Sequence, residues 1–324
     1  MRKTIVLLLL VVCLGAAWSW GWYFVAGKVD DALSLAKAKL QSENKLFQCP
    51  NETINGFPFR ISVTCDETSY FDNTKGFFLE AGKLQSAAQA YQPGKAVVEL
   101  EGPAVLTVAH TETFDVKWNS LRASVVAGFS GLEKFSTIGK NISLVPAKAG
   151  QDSVDLDELQ IHGRKVKSND VDLALTSENV RSSNESWPDF DLVGNVRISD
   201  VHDKLTRDPD LLKLAKSRGL KGEIMQLDYA SYEGGKLSVT GPVEIDTQGL
   251  ITGKFQITAS ELKPLIQSLG RAIPEQKDLL SRAEDAAEIL SSVSKNGQLK
   301  LPITVNKGKV SLGFVGIGSL GPVF

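Results

Sequence analysis

The sequence predicts a mainly β protein of the α+β class, in which an N-terminal transmembrane helix precedes a large antiparallel β-sheet body with a few packed helices. Three observations support this fold class. Residues 4–26 are apolar and uncharged, alternating apolar and polar residues recur through most of the remaining chain, and helical patterns are few. Hydrophobic residues make up 42% and charged residues 23% of the chain, which excludes a disordered polypeptide.

The apolar stretch has the length and flanks of a membrane anchor. As a helix, residues 4–26 extend about 34 Å, enough to cross the hydrocarbon core of a bilayer. Arg2 and Lys3 precede the stretch and keep the N-terminus in the cytoplasm, so the remainder is exported. Aromatic rings that favour the headgroup layer lie at its far end: Trp18, Trp20, Trp22 and Tyr23. We therefore predict a single-pass anchor over residues 1–27.

Two other interpretations of the N-terminus stay open. A cleaved signal peptide ending at Gly15-Ala16-Ala17 has suitable small residues, although cleavage there leaves the apolar stretch WSWGWYFVA at the new terminus. A lipoprotein signal requires acylation of Cys13, but Val12 is bulky where such signals have a small residue. In all three interpretations, the chain after the apolar stretch is exported.

Cys49 and Cys65 are the cysteines outside the apolar stretch, and export places them in an oxidising compartment. A metal site is disfavoured because the sequence has no Cys-x-x-Cys pair and no nearby His. We predict a Cys49–Cys65 disulfide, which stabilises the fold by about 3 kcal/mol in the chain-entropy estimate. No metal and no cofactor is predicted.

The segments on either side of Cys49 are predicted as a helix and a strand. Residues 28–48 carry an apolar helical face, which predicts an amphipathic linking helix that turns back at Pro50. After the Asn55-Gly56 turn, alternating residues predict a half-buried edge or first strand with Pro58 near its start; its apolar positions are Phe57, Phe59, Ile61 and Val63.

The sequences WSWGWYFVAGKVDDAL and GFPFRISVTC and the C-terminal LPITVNKGKVSLGFVGIGSLGPV resemble an uncharacterised family of exported bacterial proteins. That family carries a Gly-Phe-Pro-Phe-Arg motif, here Gly56, Phe57, Pro58, Phe59 and Arg60, and is known as a domain of unknown function. The resemblance implies a location in the cell envelope, a β-rich body and a distant similarity to AsmA-like envelope proteins. Together with the predicted anchor, this predicts a single-pass protein of the inner membrane with the bulk of the chain in the periplasm. It brings no catalytic residues. Within the motif, Arg60 is expected to face solvent on an edge strand.

The exported body, residues 49–324, is predicted as many short strands separated by Gly, Pro or Asn turns. Helical patterns cover residues 207–219, ending at Gly219, then 260–273, with Ser260 as N-cap, and 274–293. Similar stretches begin at Gly94, Gly235 and Gly308, and they are compatible with two related halves, 49–205 and 220–324. Common hairpin turns explain the same similarity, and both interpretations stay open.

No catalytic or metal-binding signature emerges from the polar residues. His110, His162 and His202 have no metal-ligand spacing and are interpreted as partly exposed structural residues. The stretch around Ser130, GFSG, lacks the second spaced glycine of a nucleophile elbow, and GLITGKF is not a phosphate loop. The acidic cluster is interpreted as a solvated strand face rather than a calcium site: Asp152, Asp155, Asp157 and Glu158. Asn51, Asn141 and Asn184 head sequons that matter only in a eukaryote.

The functional hypothesis follows from the apolar face of the sheet, which must be covered by helices, another sheet or a ligand. We expect a non-catalytic envelope protein that is anchored in the membrane and binds or shields an apolar ligand such as a lipid. The alternative is an envelope scaffold with a closed β core that binds another envelope protein through its edges or loops. A hydrolase is disfavoured, and the net charge of −2 disfavours nucleic acid as a partner.

Overall fold

The computed structural model describes residues 2–128, 131–208, 210–272 and 298–324. Within these ranges the helices are α1 (Arg2–Ser42), α2 (His202–Arg207), α3 (Leu211–Arg218) and α4 (Leu262–Ala272), with a 3-10 turn at Lys167–Asn169. The first strands are β1 (Lys45–Gln48), β2 (Thr53–Asn55), β3 (Arg60–Cys65), β4 (Thr68–Asp72), β5 (Phe77–Ala81), β6 (Leu84–Gln89), β7 (Gln92–Leu100), β8 (Ala104–Val108), β9 (Glu112–Lys117) and β10 (Ser120–Gly128). The later strands are β11 (Gly131–Pro146), β12 (Val154–Lys165), β13 (Val171–Ser182), β14 (Phe190–Ile198), β15 (Leu220–Ser231), β16 (Lys236–Ile245), β17 (Ile251–Ser260), β18 (Gln298–Asn306), β19 (Lys309–Leu312) and β20 (Val315–Ser319).

Contacts divide the chain into two compact units. Unit 1 is Met1–Ala127 with Leu144–Gln151, and unit 2 is Gly128–Ser143 with Asp152–Phe324. The long strand β11 contributes residues to both. The units are defined by contacts, so the sequence similarity of the halves 49–205 and 220–324 remains a separate prediction.

Unit 1 contains α1 and two antiparallel ladders. In one ladder the strands pair in the order β1–β4–β5–β8–β9, and in the other they pair in the order β2–β3–β6–β7–β10. The predicted alternation holds for Ile61 and Val63, which are buried, whereas Phe57 and Phe59 lie in the turn before β3 and are exposed. The predicted Cys49–Cys65 disulfide is confirmed, with Cα atoms 5.0 Å apart.

Two local predictions in this unit were wrong. β3 is not an edge strand, since β2 pairs along one side and β6 along the other. Pro58 is tolerated because it lies in the turn before the strand, where no ladder hydrogen bond is needed. The linking helix over 28–48 ends at Ser42, where Asn44 adopts a left-handed backbone conformation (φ 58°), and Lys45–Gln48 form β1.

Unit 2 is an antiparallel meander in which β12 to β20 pair in chain order. The helices α2 and α3 pack on its apolar face around Val201, which is 0% exposed. Apolar residues from the strands and both helices complete this core: Val171, Leu173, Val196, Ile198, Leu205, Leu211, Leu214 and Leu220. Among the described strands, β20 pairs only with β19, so the sheet is open at that edge. A large antiparallel sheet with a few helices is therefore confirmed, but the sheet is not closed.

The helices of unit 2 differ in detail from the sequence prediction. The pattern over 207–219 corresponds to α3, which is capped by the Asp210 side chain and ends at Gly219, as predicted. Ser260 does not cap a helix, because β17 continues through it and α4 begins at Leu262. The helix predicted over 274–293 lies outside the described residues.

Candidate functional site

An apolar depression lies in unit 2, beside the two short helices. It has a volume of about 280 Å³ and is open on one side. Strand residues and helix residues line it together, and we call it the groove; its apolar lining is Leu132, Phe135, Val171, Leu173, Leu205 and Leu211.

Strand register explains why these side chains converge. Leu173 and Val171 are two positions apart on β13, so they project from the same face of the sheet. Their cross-strand partners on β12 are Gly163 and Lys165. A Cβ atom on Gly163 would lie 2.1 Å from Cε1 of Phe135, so the absence of a side chain lets that ring lie against the backbone of β12. The groove therefore has a flat aromatic wall beside β12.

A buried histidine at the first position of α2 hydrogen-bonds to β11 beside the groove. His202 is 4% exposed, and its Nε2 atom lies 2.7 Å from the carbonyl oxygen of Leu132, to which it donates. Its Nδ1 atom lies 3.3 Å from a carboxylate oxygen of Asp203. The expectation that His202 is partly exposed was wrong. The ring can be buried where α2 packs on β11 because its N–H group has a hydrogen-bond partner there, the carbonyl oxygen of Leu132.

The groove carries charged residues around its apolar lining. Glu133 and Lys134 come from β11, and Arg164 and Lys165 come from the end of β12. Three of these four residues are basic.

On the opposite, polar face of the sheet, Asp172 binds two arginines, Arg164 and Arg197. Its side chain is 8% exposed and accepts hydrogen bonds from Nε of Arg197 at 2.7 Å and from Nη2 of Arg164 at 3.0 Å. The Arg197 hydrogen bond, with Arg164 adding to it, keeps the pKa of the Asp172 carboxyl below its ordinary value. The Arg164 guanidinium is thereby held on the polar face.

The same polar face contains a hydroxyl–imidazole contact that the sequence did not predict. Ser136 Oγ lies 2.7 Å from Nδ1 of His162, and Nε2 of that ring lies 3.0 Å from Oε1 of Gln160. Gln160 in turn donates to Glu158, which also pairs with Lys140 at 3.5 Å. This pattern assigns the ring proton to Nε2 and lets Nδ1 accept from the serine.

Other residues singled out by sequence occupy separate positions. His110 lies at an exposed turn with φ 62°, as expected, and Ser130 lies outside the described residues. The acidic cluster is dispersed over different partners: Asp152 accepts from Asn184, Asp157 from Asn179 and Arg181, and Glu158 from Gln160. The Asn179 and Arg181 hydrogen bonds lower the pKa of Asp157. Glu52, whose carboxylate lies near the sulfurs of Cys49 and Cys65, pairs with Lys37 at 2.6 Å.

The Gly-Phe-Pro-Phe-Arg segment, which we call the 56–60 loop, lies against α1 in unit 1. Nε1 of Trp18 donates to the carbonyl oxygen of Pro58 at 3.0 Å, and Nε1 of Trp22 donates to that of Arg60 at 2.7 Å. The Phe57 ring packs edge-on against Trp22 and stacks with Tyr23. The sequence predicted these aromatic residues for the membrane interface and did not predict their contacts with the loop.

Comparison with known proteins gives one family. Residues 22–321 match the sequence model of a family described as an uncharacterised protein conserved in bacteria (DUF2125). No curated protein and no solved structure matches the chain. The match covers the β-rich body and the last part of α1. The distant similarity to AsmA-like envelope proteins remains a prediction.

Proposed function

This chain belongs to the DUF2125 family of uncharacterised bacterial proteins, and because that family brings no activity, we propose a function from the groove itself. We propose a non-catalytic protein of the bacterial cell envelope, anchored in the inner membrane by α1 with its bulk in the periplasm. In this proposal, unit 2 binds the acyl chain of a lipid in the groove.

The observation that carries the proposal is an apolar groove of about 280 Å³ with the basic residue Lys165 at its rim. Ligand sites in proteins typically begin at about 300 Å³ and combine an apolar lining with a few polar groups. An acyl chain matches the leucines and Phe135, and an acidic headgroup matches Lys165. The ligand class that fits both features is an anionic lipid or a fatty acid.

Two features outside the groove support the envelope location. α1 is long and apolar enough to cross a membrane. The Cys49–Cys65 disulfide lies beyond that helix and is of the kind that persists in oxidising compartments. Together they favour a periplasmic body attached to the inner membrane.

The Ser136–His162 pair does not change the proposal. In a serine hydrolase, a carboxylate orients the imidazole and stabilises its protonated form during reaction. Here the third group is the neutral amide of Gln160, which orients the ring without supplying that charge. The pair is better explained as a polar network that satisfies its own hydrogen bonds on one face of the sheet.

Photocrosslinking of the full chain tests the proposal. Cells expressing the protein are fed a fatty acid that carries a diazirine and are irradiated, and crosslinked peptides are mapped by mass spectrometry. We expect crosslinks on β11, β13 and α2. Leu173→Trp fills the groove and should reduce these crosslinks at least fivefold. Crosslinks confined to α1 would contradict lipid binding by unit 2.

Leu212→Trp is the matched control. Leu212 lies on α3 next to Leu211 but is 47% exposed and does not line the groove. This variant adds the same ring to the same part of the unit, so its crosslinking should equal that of the wild type. Equal loss in both variants would show that the signal depends on general stability rather than on the groove.

The second candidate function is a scaffold that binds another envelope protein, and the edge strand β20 favours it. All residues of β20 are exposed, including Val315 and Ile317, and Phe314 before it is fully exposed. An apolar edge with free backbone groups can pair with a strand of a partner. Ile317→Lys should abolish such a complex in a pull-down from envelope extracts and leave lipid crosslinking intact.

A further inference from the structure

We propose that the 56–60 loop is a second membrane-binding element, which lies at the boundary between the headgroups and the acyl chains of the bilayer and contacts lipid through Phe57 and Phe59. The inference rests on the anchor part of the proposed function and is independent of the groove. In this proposal, the ligand of the 56–60 loop is the lipid surface of the membrane that α1 would cross.

The first step is that the loop is fixed to α1. Two indole nitrogens of the helix, those of Trp18 and Trp22, donate to backbone carbonyls of the loop at 3.0 and 2.7 Å. Trp22 is 6% exposed and packs with Ala26 of the helix and Ile61 of β3 in one apolar cluster. The height of the loop along α1 is therefore set by these contacts.

The second step is the depth in the bilayer at which the contacts with α1 place the loop. The apolar run from Thr4 reaches Trp18 after only about 21 Å of helix, whereas a bilayer hydrocarbon core is about 30 Å thick. The first charged residue after the run is Lys28, about 15 Å beyond Trp18 along the axis. When α1 spans the bilayer, Trp18 and the carbonyl of Pro58 thus lie at or below the boundary between headgroups and acyl chains.

The third step is the chemistry that the loop exposes at that depth. Phe57 is 49% exposed and Phe59 is 66% exposed, although both are large apolar side chains. Tyr23, which stacks with Phe57 at 6.0 Å between ring centroids, is 66% exposed. Exposed aromatic rings are costly in water but favourable at the membrane interface. The adjacent Arg60 is exposed and can reach lipid phosphates while its stem stays in the apolar layer.

Depth-dependent quenching on the full chain tests this inference. In a Cys13→Ser background, a fluorescent probe is attached to the thiol of a Phe59→Cys variant, and the protein is placed in vesicles of phosphatidylethanolamine and phosphatidylglycerol. Nitroxide-labelled lipids quench from within the bilayer, and iodide quenches from the aqueous phase. We expect quenching by the labelled lipids to exceed quenching by iodide at least threefold.

Leu46→Cys is the matched control. Leu46 belongs to the same unit and is 37% exposed, but it follows the end of α1 at Ser42, about 22 Å beyond Gly27 along the helix axis. A probe there should be quenched by iodide and spared by the labelled lipids. A Phe59 probe that behaves like the Leu46 probe would overturn the inference.

Flotation of the same vesicles on a density gradient separates the two hypotheses. Protein that floats while its Phe59 probe remains aqueous leaves the anchor intact and overturns only the membrane contact of the loop. Protein that fails to float overturns the anchor and, with it, the inference. Floating protein with a lipid-quenched Phe59 probe supports both.

Discussion

The indole nitrogen of Trp22 donates a hydrogen bond to the carbonyl oxygen of Arg60, 2.7 Å away and 38 positions later in the chain. This bond joins the helix that can cross the membrane to the first residue of β3. Because Trp22 is nearly fully buried, water does not compete for this hydrogen bond. The bond therefore contributes more to stability than an exposed one would.

Trp22→Phe should weaken this attachment. The phenyl ring keeps most of the packing against Ile61 but cannot donate, so the carbonyl of Arg60 loses its partner. We expect a loss of about 1–3 kcal/mol in the free energy of unfolding of unit 1. Hydrogen exchange of the full chain in lipid nanodiscs should show faster exchange in residues 56–61. Trp20→Phe, at a ring that is 72% exposed, should change neither quantity.

Removal of the disulfide by the double substitution Cys49→Ser, Cys65→Ser should lower the stability of unit 1. The bond closes a loop with a sequence separation of 16, for which the expected cost is about 3 kcal/mol. Urea unfolding of the full chain in nanodiscs, followed by tryptophan fluorescence, measures this loss. Cys13→Ser removes the exposed free thiol and serves as the control, with no change expected.

Asp172→Asn should remove a pH-dependent part of the stability of unit 2. The pKa of Asp172 is lowered in the folded state, so its contribution is present above the ordinary value of 3.8 and is lost as pH falls through the folded pKa. At pH 7 the variant should lose about 1–3 kcal/mol, because hydrogen bonds from two arginines lose their charged acceptor.

The pH profile distinguishes this effect from a general packing defect. Thermal unfolding of wild type and Asp172→Asn should differ at pH 7 and converge as pH falls toward 2. A constant difference at every pH would contradict the charge-based explanation. Asp208→Asn is the control, because its pair with Lys213 is exposed on both sides and should contribute less than about 0.5 kcal/mol.

Gly163→Ala should disturb the groove through Phe135. The new methyl group would lie 2.1 Å from the ring, so the ring must move into the groove. We expect a stability loss of about 1–3 kcal/mol and reduced crosslinking by the diazirine fatty acid. Gly194→Ala is the control on the same sheet, because the nearest atom to its methyl group, Cδ1 of Leu227, would be 3.8 Å away. Unchanged crosslinking in Gly163→Ala would contradict the placement of the ligand beside Phe135.

The features that the sequence predicted correctly depend on local pattern or on a small set of pairing partners. The apolar run of α1 is visible from composition alone, and Cys49 had one partner outside that run. The alternation of Val171 and Leu173 placed both on one face of a strand, because side chains in a strand alternate with a period of two. These properties require no knowledge of how strands pair.

The features that were missed depend on register and on docking between distant segments. Ser136 and His162 meet only because β11 lies beside β12, and one shifted residue would place the serine on the other face. The contact of Trp18 with Pro58 spans 40 positions and depends on where α1 lies against β3. The groove is a gap between two short helices and a sheet, which no residue pattern encodes.

The chain-order pairing of β12 to β20 has a consequence for how this protein is made. Each strand finds its partner immediately upstream, so unit 2 has largely local contacts, which favour rapid folding. Under the proposed export, the strands would leave the translocation channel in chain order, and each could add to the growing sheet as it emerges. Of the described strands, β20 comes last in the chain and is also the one left exposed at the edge.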